Sequence, residues 1–418
     1  MKTIIKLAWR NIWRNWRRTL LTSIAIVFGV IFTLFAQCYI KGIFESFFDD
    51  LIRNETGHVR IASREFLRLE KILPKEHLIY NYQNLEESFS SLPGIKSITE
   101  RIKIHLVLSH EENTEPCLCV GINPEQEKNY LDLEKYIIRG NYLRNLSPEM
   151  IIGYNLAQEL GVSVGDELLA VTSDINYSTY ALTFNVAGIF KTGFPYIDKN
   201  FFYIPLHKAQ ELLDCNGATH EILLLAENPD KARKLAEGIQ KIIEEKGMGD
   251  VLTAVPWQEH YFVKEYMPMA NSIFLSIIFI IMMIAALVIL NTMLMAVLER
   301  THEIGIIKSM GMKDRTITLM ILAESFFIGI IGAAIGGLLG SSLSLYAQKT
   351  GLDFTKMLSD TMELPISFMS GVIYPKFSLG ILISSVLFAL AAAVIAALYP
   401  AIKASRLRPV EALRTSLK

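Results

Sequence analysis

This 418-residue sequence contains few cysteines, and its positive and negative charges nearly balance. Lys and Arg number 41 against 42 Asp and Glu, so no bulk positive charge is available to bind nucleic acid. The 4 cysteines form neither a C-x-x-C pair nor a dense disulfide framework; they are Cys38, Cys117, Cys119 and Cys215. These absences argue against a nucleic-acid partner and against a small disulfide-stapled scaffold.

Motifs for metal-dependent and nucleotide-dependent catalysis are also missing. The pairs His110-Glu111 and His302-Glu303 both lack the second histidine of a His-Glu-x-x-His zinc motif. The dipeptide Gly-Lys does not occur, which removes the phosphate-binding Gly-x-x-x-x-Gly-Lys-Ser/Thr loop. Cys117 and Cys119 would point to one face of a strand, and a metal site there is only an alternative reading. We therefore predict no catalytic residue, no metal site and no cofactor bound by this chain.

Hydrophobic residues, in contrast, make up 51% of the chain and gather in four long uncharged runs. The runs cover residues 19–40, 266–298, 325–348 and 377–402. At about 1.5 Å of rise per residue, each run is long enough to cross a hydrocarbon core of about 30 Å as a helix. A cleaved signal peptide is the alternative for the first run, but its apolar stretch is long and no small-x-small site follows it. We interpret it as an uncleaved anchor.

Basic residues beside these runs predict the topology. The first 18 residues contain six Lys or Arg and no acid, and basic residues also predominate in 299–315 and 403–418. The positive-inside rule then places both termini and 299–315 in the cytoplasm. The predicted order is cytoplasmic helix 1–18, span 19–40, outside domain 41–267, span 268–298, cytoplasmic segment 299–315, span 316–348, outside loop 349–376, span 377–402 and tail 403–418.

Residues 1–18 have an amphipathic pattern. Trp9, Trp13 and Trp16 recur at helical spacing, and basic residues occupy the rest of the circumference. Such a helix suits the inner headgroup layer, with aromatic rings at the interface and cations on anionic lipid. A role limited to fixing the topology is the alternative.

The predicted outside domain, residues 41–267, contains both strand-like and helix-like patterns of hydrophobic residues. Alternating apolar residues predict strands at 58–62, 102–108, 168–172, 181–189, 201–204 and 221–225, and helical patterns appear at 85–92, 208–213 and 230–246. The predicted fold class is an α-helical membrane protein with four transmembrane helices and an α+β extracytoplasmic domain.

The cytoplasmic segment 299–313 carries the strongest signal. On a continuous helix Glu299 and Glu303 would stack at i, i+4, and Ile304, Ile307 and Met310 would form an apolar stripe. A protein partner could cover that stripe. A structural reversal packed on its own helices is the alternative.

Two motifs carry a family resemblance. One is Glu299-Arg300-x-x-Glu303-Ile304-Gly305-Ile306-x-Lys308-x-x-Gly311, followed by Glu324, and the other runs from Tyr399-Pro400-Ala401 to Pro409-Val410-Glu411-Ala412-Leu413-Arg414. Both resemble the FtsX-type permease domain of the MacB/FtsX/LolC-LolE group of ABC transporters, with residues 268–418 as that domain. The layout of one span, a large outside domain and three more spans is similar to the same group.

The resemblance implies a site and partners. Segment 299–313 would be a coupling helix seated on a separate, LolD-like cytoplasmic ATPase, which would bind ATP and Mg and drive the outside domain by mechanotransmission. The matching coupling residues are Glu299, Arg300, Glu303, Ile304, Gly305, Lys308, Gly311, Pro409, Leu413 and Arg414. A second copy or sister permease would complete the transporter. The outside domain would consist of a Porter-like part, residues 55–115 and 220–255, and a small β-rich part.

The resemblance is greatest to lipoprotein-releasing subunits of a bacterial inner membrane, which take lipoproteins from the outer leaflet and pass them to a soluble periplasmic carrier. Candidate residues for the cavity are Val30, Phe32, Leu34, Phe35, Phe274, Ile278, Met282 and Met283. These apolar side chains suit acyl chains but also lipid contact and helix packing. An FtsX-like transmitter that activates an outside partner and a peptide or antibiotic efflux permease are the alternatives.

Glu324 and a repeat of small residues stand out in the third span. An ionisable group inside a span is costly, so we expect Glu324 to form a salt bridge that steadies the coupling helix, with Lys308, Lys313 and Arg315 nearby. Snorkelling toward the interface is the alternative. Glycines at 332, 336 and 340 and alanines at 389, 393 and 397 predict close packing of the helices.

Overall fold

A computed structural model describes residues 2–14, 16–90, 92–145, 147–192, 195–353 and 372–406. These residues divide into two compact units. The helical unit contains the described residues up to 45, from 269 to 353 and from 372 onward, and the sheet unit contains those from 46 to 268.

The elements are numbered in chain order. The helices are α1 Lys2–Arg14, α2 Trp16–Glu55, α3 Arg64–Arg68, α4 Tyr82–Ser90, α5 Pro124–Tyr130, α6 Tyr154–Leu160, α7 Pro195–Asn200, α8 Leu206–Leu213, α9 Ala232–Glu245, α10 Tyr261–Leu298, α11 Thr301–Ser309, α12 Asp314–Thr350 and α13 Leu379–Arg406. The strands are β1 Val59–Ser63, β2 Ile79–Tyr80, β3 Ile95–His110, β4 Asn113–Ile122, β5 Ile137–Gly140, β6 Glu149–Gly153, β7 Glu167–Ser173, β8 Thr179–Phe190, β9 Phe201–Pro205, β10 Ala218–Thr219, β11 Glu221–Ala226, β12 Leu252–Pro256, β13 Leu352–Asp353 and β14 Val372–Ile373.

In the described part of the chain four helices are long and apolar enough to cross a membrane: α2, α10, α12 and α13. Two of them extend well beyond the predicted spans, since α2 continues to Glu55 and α10 already begins at Tyr261. Ion pairs one turn apart, Lys41 with Glu45 and Asp49 with Arg53, support the polar extension of α2.

Glycines let α12 lie close to α2. A Cβ added at Gly332 would come within 2.8 Å of Ile26, and one at Gly336 would come within 2.9 Å of the Val27 carbonyl oxygen. On the other side of α12, Gly329 and Gly337 face α13, where Ala389, Ala393 and Ala397 are buried. The third span therefore packs between the first and the fourth through small residues, as their four-residue spacing predicts.

The sheet unit is built on one continuous sheet. Its strand order is β12-β1-β11-β3-β4-β9-β6-β8-β5, with β7 pairing with β3 and β8. Neighbours are antiparallel except for β4 with β9 and β6 with β8, which are parallel. The 16-residue strand β3 pairs with β11, β4 and β7, so it joins the stretches expected as Porter-like and β-rich parts.

Alternation along the strands creates two different faces. One face carries the main apolar core, to which β4 contributes Cys117 and Cys119 and which α4, α8 and α9 cover. Burial raises the pKa of the Cys117 thiol to about 12 and that of Cys119 well above its usual range, so both behave as small apolar side chains. Among the described residues no group of three or more His, Cys, Asp or Glu is placed to hold a metal ion.

The opposite face of the same sheet is partly charged. Arg60 on β1, Arg101 and Lys103 on β3 and Glu221 on β11 are each at most 4% exposed. They alternate with the apolar residues Ile61, Ile102, Ile104 and Ile222 of the main core. The period of two therefore assigns the charges to one layer and the apolar side chains to the other.

Replacing Gly336 by alanine should loosen the packing of α2 on α12. The new Cβ would meet the Val27 backbone, which cannot move aside, so we expect a loss of about 1–3 kcal/mol of stability. Gly337→Ala is the matched control, because its Cβ would meet only flexible side-chain ends of Leu382 and Val386, at 3.3 and 3.4 Å. Thermal unfolding of the full chain in detergent measures both, and equal melting temperatures for the two variants would contradict this packing.

Glu100 should make the sheet unit less stable as the pH rises. Burial raises the pKa of Glu100 to about 8, with a further contribution from the Glu86 carboxylate. Since the folded protein holds this proton more tightly than the unfolded chain, the stabilisation is complete below a pH of about 4.5 and is lost as the pH rises through 8. Glu100→Gln, which cannot ionise, should match the wild type at pH 5 and protect β3 better at pH 9. Hydrogen exchange of β3, measured for both proteins at pH 5 and pH 9, tests this. A difference in protection between the two proteins that is the same at both pH values would rule it out.

Candidate functional site

Segment 299–313 forms a short helix between two turns. Helix α10 ends at Leu298, Glu299 and Arg300 form the turn, and α11 begins at Thr301. The expected i, i+4 stack of Glu299 on Glu303 is therefore wrong, because the helix is interrupted between them. Gly311 closes the segment at a φ of +93°, a backbone conformation that favours glycine.

Arg300 and Glu324 form the central ion pair of this segment. Arg300 Nη1 lies 2.5 Å from Glu324 Oε1, and the two side chains are 12% and 6% exposed. The salt bridge expected for Glu324 is present, and Arg300 forms it, a residue that was not among the nearby cations expected, Lys308, Lys313 and Arg315. The arginine lies on the turn that directly follows the second span, which brings it over the first turns of α12.

Lys308 makes a different connection. Its Nζ donates a hydrogen bond to the Ser405 carbonyl oxygen at 2.5 Å and pairs with Asp314 Oδ1 at 2.9 Å. Ser405 belongs to the last described turn of α13, and a lysine near the C-terminal end of a helix is favourable because it complements the helix dipole. Helix α11 is thereby attached to the ends of both α12 and α13.

The expected apolar stripe of the segment is split. Ile304 is 5% exposed and packs with Val297, Ile317, Ile321, Ala401 and Ala404. Met310 and Ile306, in contrast, are 74% and 42% exposed. The inner side of α11 therefore fits the alternative of a reversal packed on its own helices, while the other side presents a small apolar surface that is exposed among the described residues.

Sequence reasoning did not identify every group at this site. Arg14 of α1 reaches Glu303 at 3.7 Å, although both side chains are well exposed and the pair is weak. A cavity of about 30 Å³ beside Arg300 and Glu324 is lined by Thr19 and Thr22 of α2, room for one water molecule. The basic amphipathic pattern of residues 1–18 pointed to lipid and gave no sign of Arg14 near α11. Pro409, Leu413 and Arg414 lie outside the described residues.

The cavity candidates of the first two spans separate into two groups. Val30 and Leu34 are 1% and 0% exposed and face Gly336 and Gly340 of α12, so their prediction as cavity lining is wrong: they pack within the chain. The other candidates are half-buried or exposed: Phe32, Phe35, Phe274, Ile278, Met282 and Met283. The second span is the least covered, with 11% of its most apolar stretch buried against 28–50% in the other three.

Models of known families match both parts of the chain. The FtsX-like permease C-terminal family matches residues 275–409, which include the α11 site. The MacB-like periplasmic core domain family matches residues 19–242. The chain belongs to the MacB/FtsX/LolC group of ABC transporter permeases. Permease subunits of ABC transporters work with a cytoplasmic ATPase, and the four spanning helices with a MacB-like periplasmic domain make this permease a multi-pass membrane protein.

Individual relatives are distant but match over long stretches. The lipoprotein-releasing system transmembrane protein LolC of Xylella fastidiosa is 24% identical over 77% of this permease and 78% of its own length. An uncharacterised ABC transporter permease of Methanocaldococcus jannaschii is 23% identical over 98% of this chain and 97% of its own. The macrolide export protein MacB of Bdellovibrio bacteriovorus is 35% identical over 33% of this chain and 18% of its own.

Removing one partner of the Arg300–Glu324 pair should loosen the α11 segment of the permease. Glu324→Gln leaves the nearly buried Arg300 with only the more exposed Glu303, 3.6 Å from its Nε, as counter-charge, at a cost of about 3 kcal/mol. We expect faster proteolysis within 299–313 and partial recovery in the double variant R300E/E324R. Glu299→Gln, at an exposed position of the same turn, is the control. Identical cleavage rates in all four proteins would show that the pair does not hold the segment.

Proposed function

We propose that this permease extracts lipoproteins from the outer leaflet of the inner membrane and passes them to a soluble periplasmic carrier. The observation that carries the proposal is the length of the similarity to LolC, which extends over more than three quarters of both chains. The similarity to the macrolide export protein MacB is confined to one third of this chain. Similarity along both domains supports a shared task better than similarity of the permease domain alone.

The α11 site is proposed as the place where the ATPase binds. Ion pairs and an apolar cluster fix the inner side of α11 to α12 and α13, so a push on this short helix would move both spans. The exposed Ile306 and Met310 offer apolar contact, and the exposed Lys313 and Arg315 offer charge. We assign ATP and Mg to this LolD-like partner and place both termini of the permease in the cytoplasm, as the basic residues near the spans indicate.

The substrate would be held beside the first and second spans. Phe32 and Met283 are 54% and 46% exposed, and Phe274 lies near Phe44 of α2, with ring centroids 5.2 Å apart. A second permease, either a copy or a sister chain, would close the sparsely covered face of α10 and enclose the acyl chains. Flexible methionine and bulky phenylalanine suit such chains, because they adapt to irregular apolar shapes.

The test is to purify the tagged permease with its co-expressed ATPase in mild detergent and to identify bound proteins by mass spectrometry. We expect acylated lipoproteins to be retained without ATP and released when ATP is added. The double variant F32A/M283A should retain about tenfold less, which corresponds to a loss of about 1.4 kcal/mol of binding. Leu387→Ala removes a similarly exposed apolar side chain from the fourth span and should retain the wild-type amount.

Other outcomes would replace the proposal. Recovery of a cell-wall hydrolase without any lipoprotein would favour a signal transmitter. Recovery of an outer-membrane duct protein with a peptide or antibiotic cargo would favour efflux.

A further inference from the structure

The charged layer of the sheet unit buries ions, as the α11 site does. Arg60, Lys103 and Glu221 are 1%, 4% and 0% exposed and lie on three neighbouring strands, β1, β3 and β11. Each of these groups, removed from water without a partner, would cost several kcal/mol. The partners of these three residues therefore determine what can pack on this face of the sheet.

The end of the first spanning helix supplies one set of partners. Lys103 Nζ lies 3.2 Å from Glu55 Oε2 and also donates to the Glu55 carbonyl oxygen at 3.4 Å. Arg101 donates to the carbonyl oxygen of Asn54 and pairs with Glu127 of α5. Glu55 is the last residue of α2, so cations meet the free carbonyl groups at the negative end of this helix.

The start of the second spanning helix supplies the other set. His260 directly precedes α10, and its carbonyl oxygen accepts the first hydrogen bond of that helix from Lys264 N at 3.0 Å. Glu70 Oε1 lies 3.1 Å from His260 Nε2 and pairs with Arg60, so this carboxylate links Arg60 to His260. Burial alone would raise the pKa of Glu70, but the hydrogen bond from His260 and the Arg60 charge lower it to about 2.

Glu221 connects these two sets. Its Oε1 lies 3.2 Å from Lys103 Nζ and its Oε2 lies 2.5 Å from Arg60 Nη2. Burial favours the protonated form, yet the two cations hold the pKa of Glu221 below its usual range. One buried carboxylate thus joins the residue that ends α2, through Lys103, to the residue that directly precedes α10, through Arg60 and Glu70.

Such a connection differs mechanically from apolar packing. Apolar side chains can slide past one another at small cost, because their attraction has no direction. The attraction within a buried ion pair, in contrast, falls as the two charges move apart, and separating them leaves both buried without a counter-charge. A displacement of either helix end would therefore be passed to the sheet.

We propose that Glu221, Lys103 and Arg60 form the joint that makes the outside domain follow the ends of the first and second spanning helices. All of the joint lies within the sheet unit, and the three residues act through Glu55 and His260. The inference rests on the membership of the chain in an ABC permease family and is independent of the lipoprotein cargo.

The test uses the full permease with its ATPase in lipid nanodiscs. Trapping the ATPase with ATP and vanadate should change deuterium uptake in β1, β3 and β11 of the wild type. In Lys103→Met that change should be about tenfold smaller, a size typical of coupling between sites, while basal ATP hydrolysis is retained. Lys103→Arg keeps the cation and should recover at least half of the response. Lys199→Met removes an exposed ion pair with Glu159 and is the control.

A second variant and the melting temperature distinguish the joint from a purely structural role. If Lys103→Met does not fold, Glu55→Gln tests the joint in its place. This variant should fold, because the Glu55 side chain is 30% exposed and the buried Lys103–Glu221 pair remains intact. If a folded Lys103→Met or Glu55→Gln protein shows the wild-type change in deuterium uptake of the outside domain, the proposal is overturned. A melting temperature lowered without loss of the response would show that these residues are structural only. This measurement does not depend on the lipoprotein proposal, because it reports deuterium uptake of the outside domain and not the binding of a cargo.

Discussion

A charge taken out of water must be paired, and this permease depends on that constraint in both of its units. In the helical unit Arg300 and Glu324 pair at 2.5 Å where the second span turns into the short helix α11. In the sheet unit Glu221 holds Lys103 and Arg60 beneath the ends of two spanning helices. The replacement of such pairs by apolar residues is often neutral for stability, so their value lies in fixing geometry. Both pairs occur where a helix ends or begins.

Inside the lipid, small residues allow the spanning helices to pack closely. Without a hydrophobic driving force between spans, close approach of the backbones supplies the attraction, and Gly332 and Gly336 allow α12 to lie against α2. The short helix α11 then depends on this packed set, because Lys308 ties it to the end of α13 and Ile304 packs between α12 and α13. The second span contributes least to the packing and keeps most of its apolar surface available for lipid or for another subunit.

The predicted elements agree with the structure where a single period dominates the sequence. Uncharged runs marked the four membrane helices, and alternation marked strands such as β7, β9 and β11. Short elements were missed, including β6, β12 and α6, because a few residues do not show a period above chance. The same limit explains the error at Glu299 and Glu303, since the amphipathic pattern continues through a turn that two residues are enough to make. Val30 and Leu34 show a further limit, because composition alone does not distinguish a side chain that faces a cavity from one that faces a glycine.

The sequence by itself determined the class of this protein: four spans, an α+β domain and the motif at 299–313 follow from runs, periods and residue spacing. These are local properties, which a chain expresses wherever its partners lie. Only the tertiary structure decided which charges meet, since Arg300 and Glu324 are separated by a reversal of the chain, and Arg60, Lys103 and Glu221 come from strands far apart in sequence. Pairing at such separations depends on strand register and helix packing, and no single segment of the sequence contains that information.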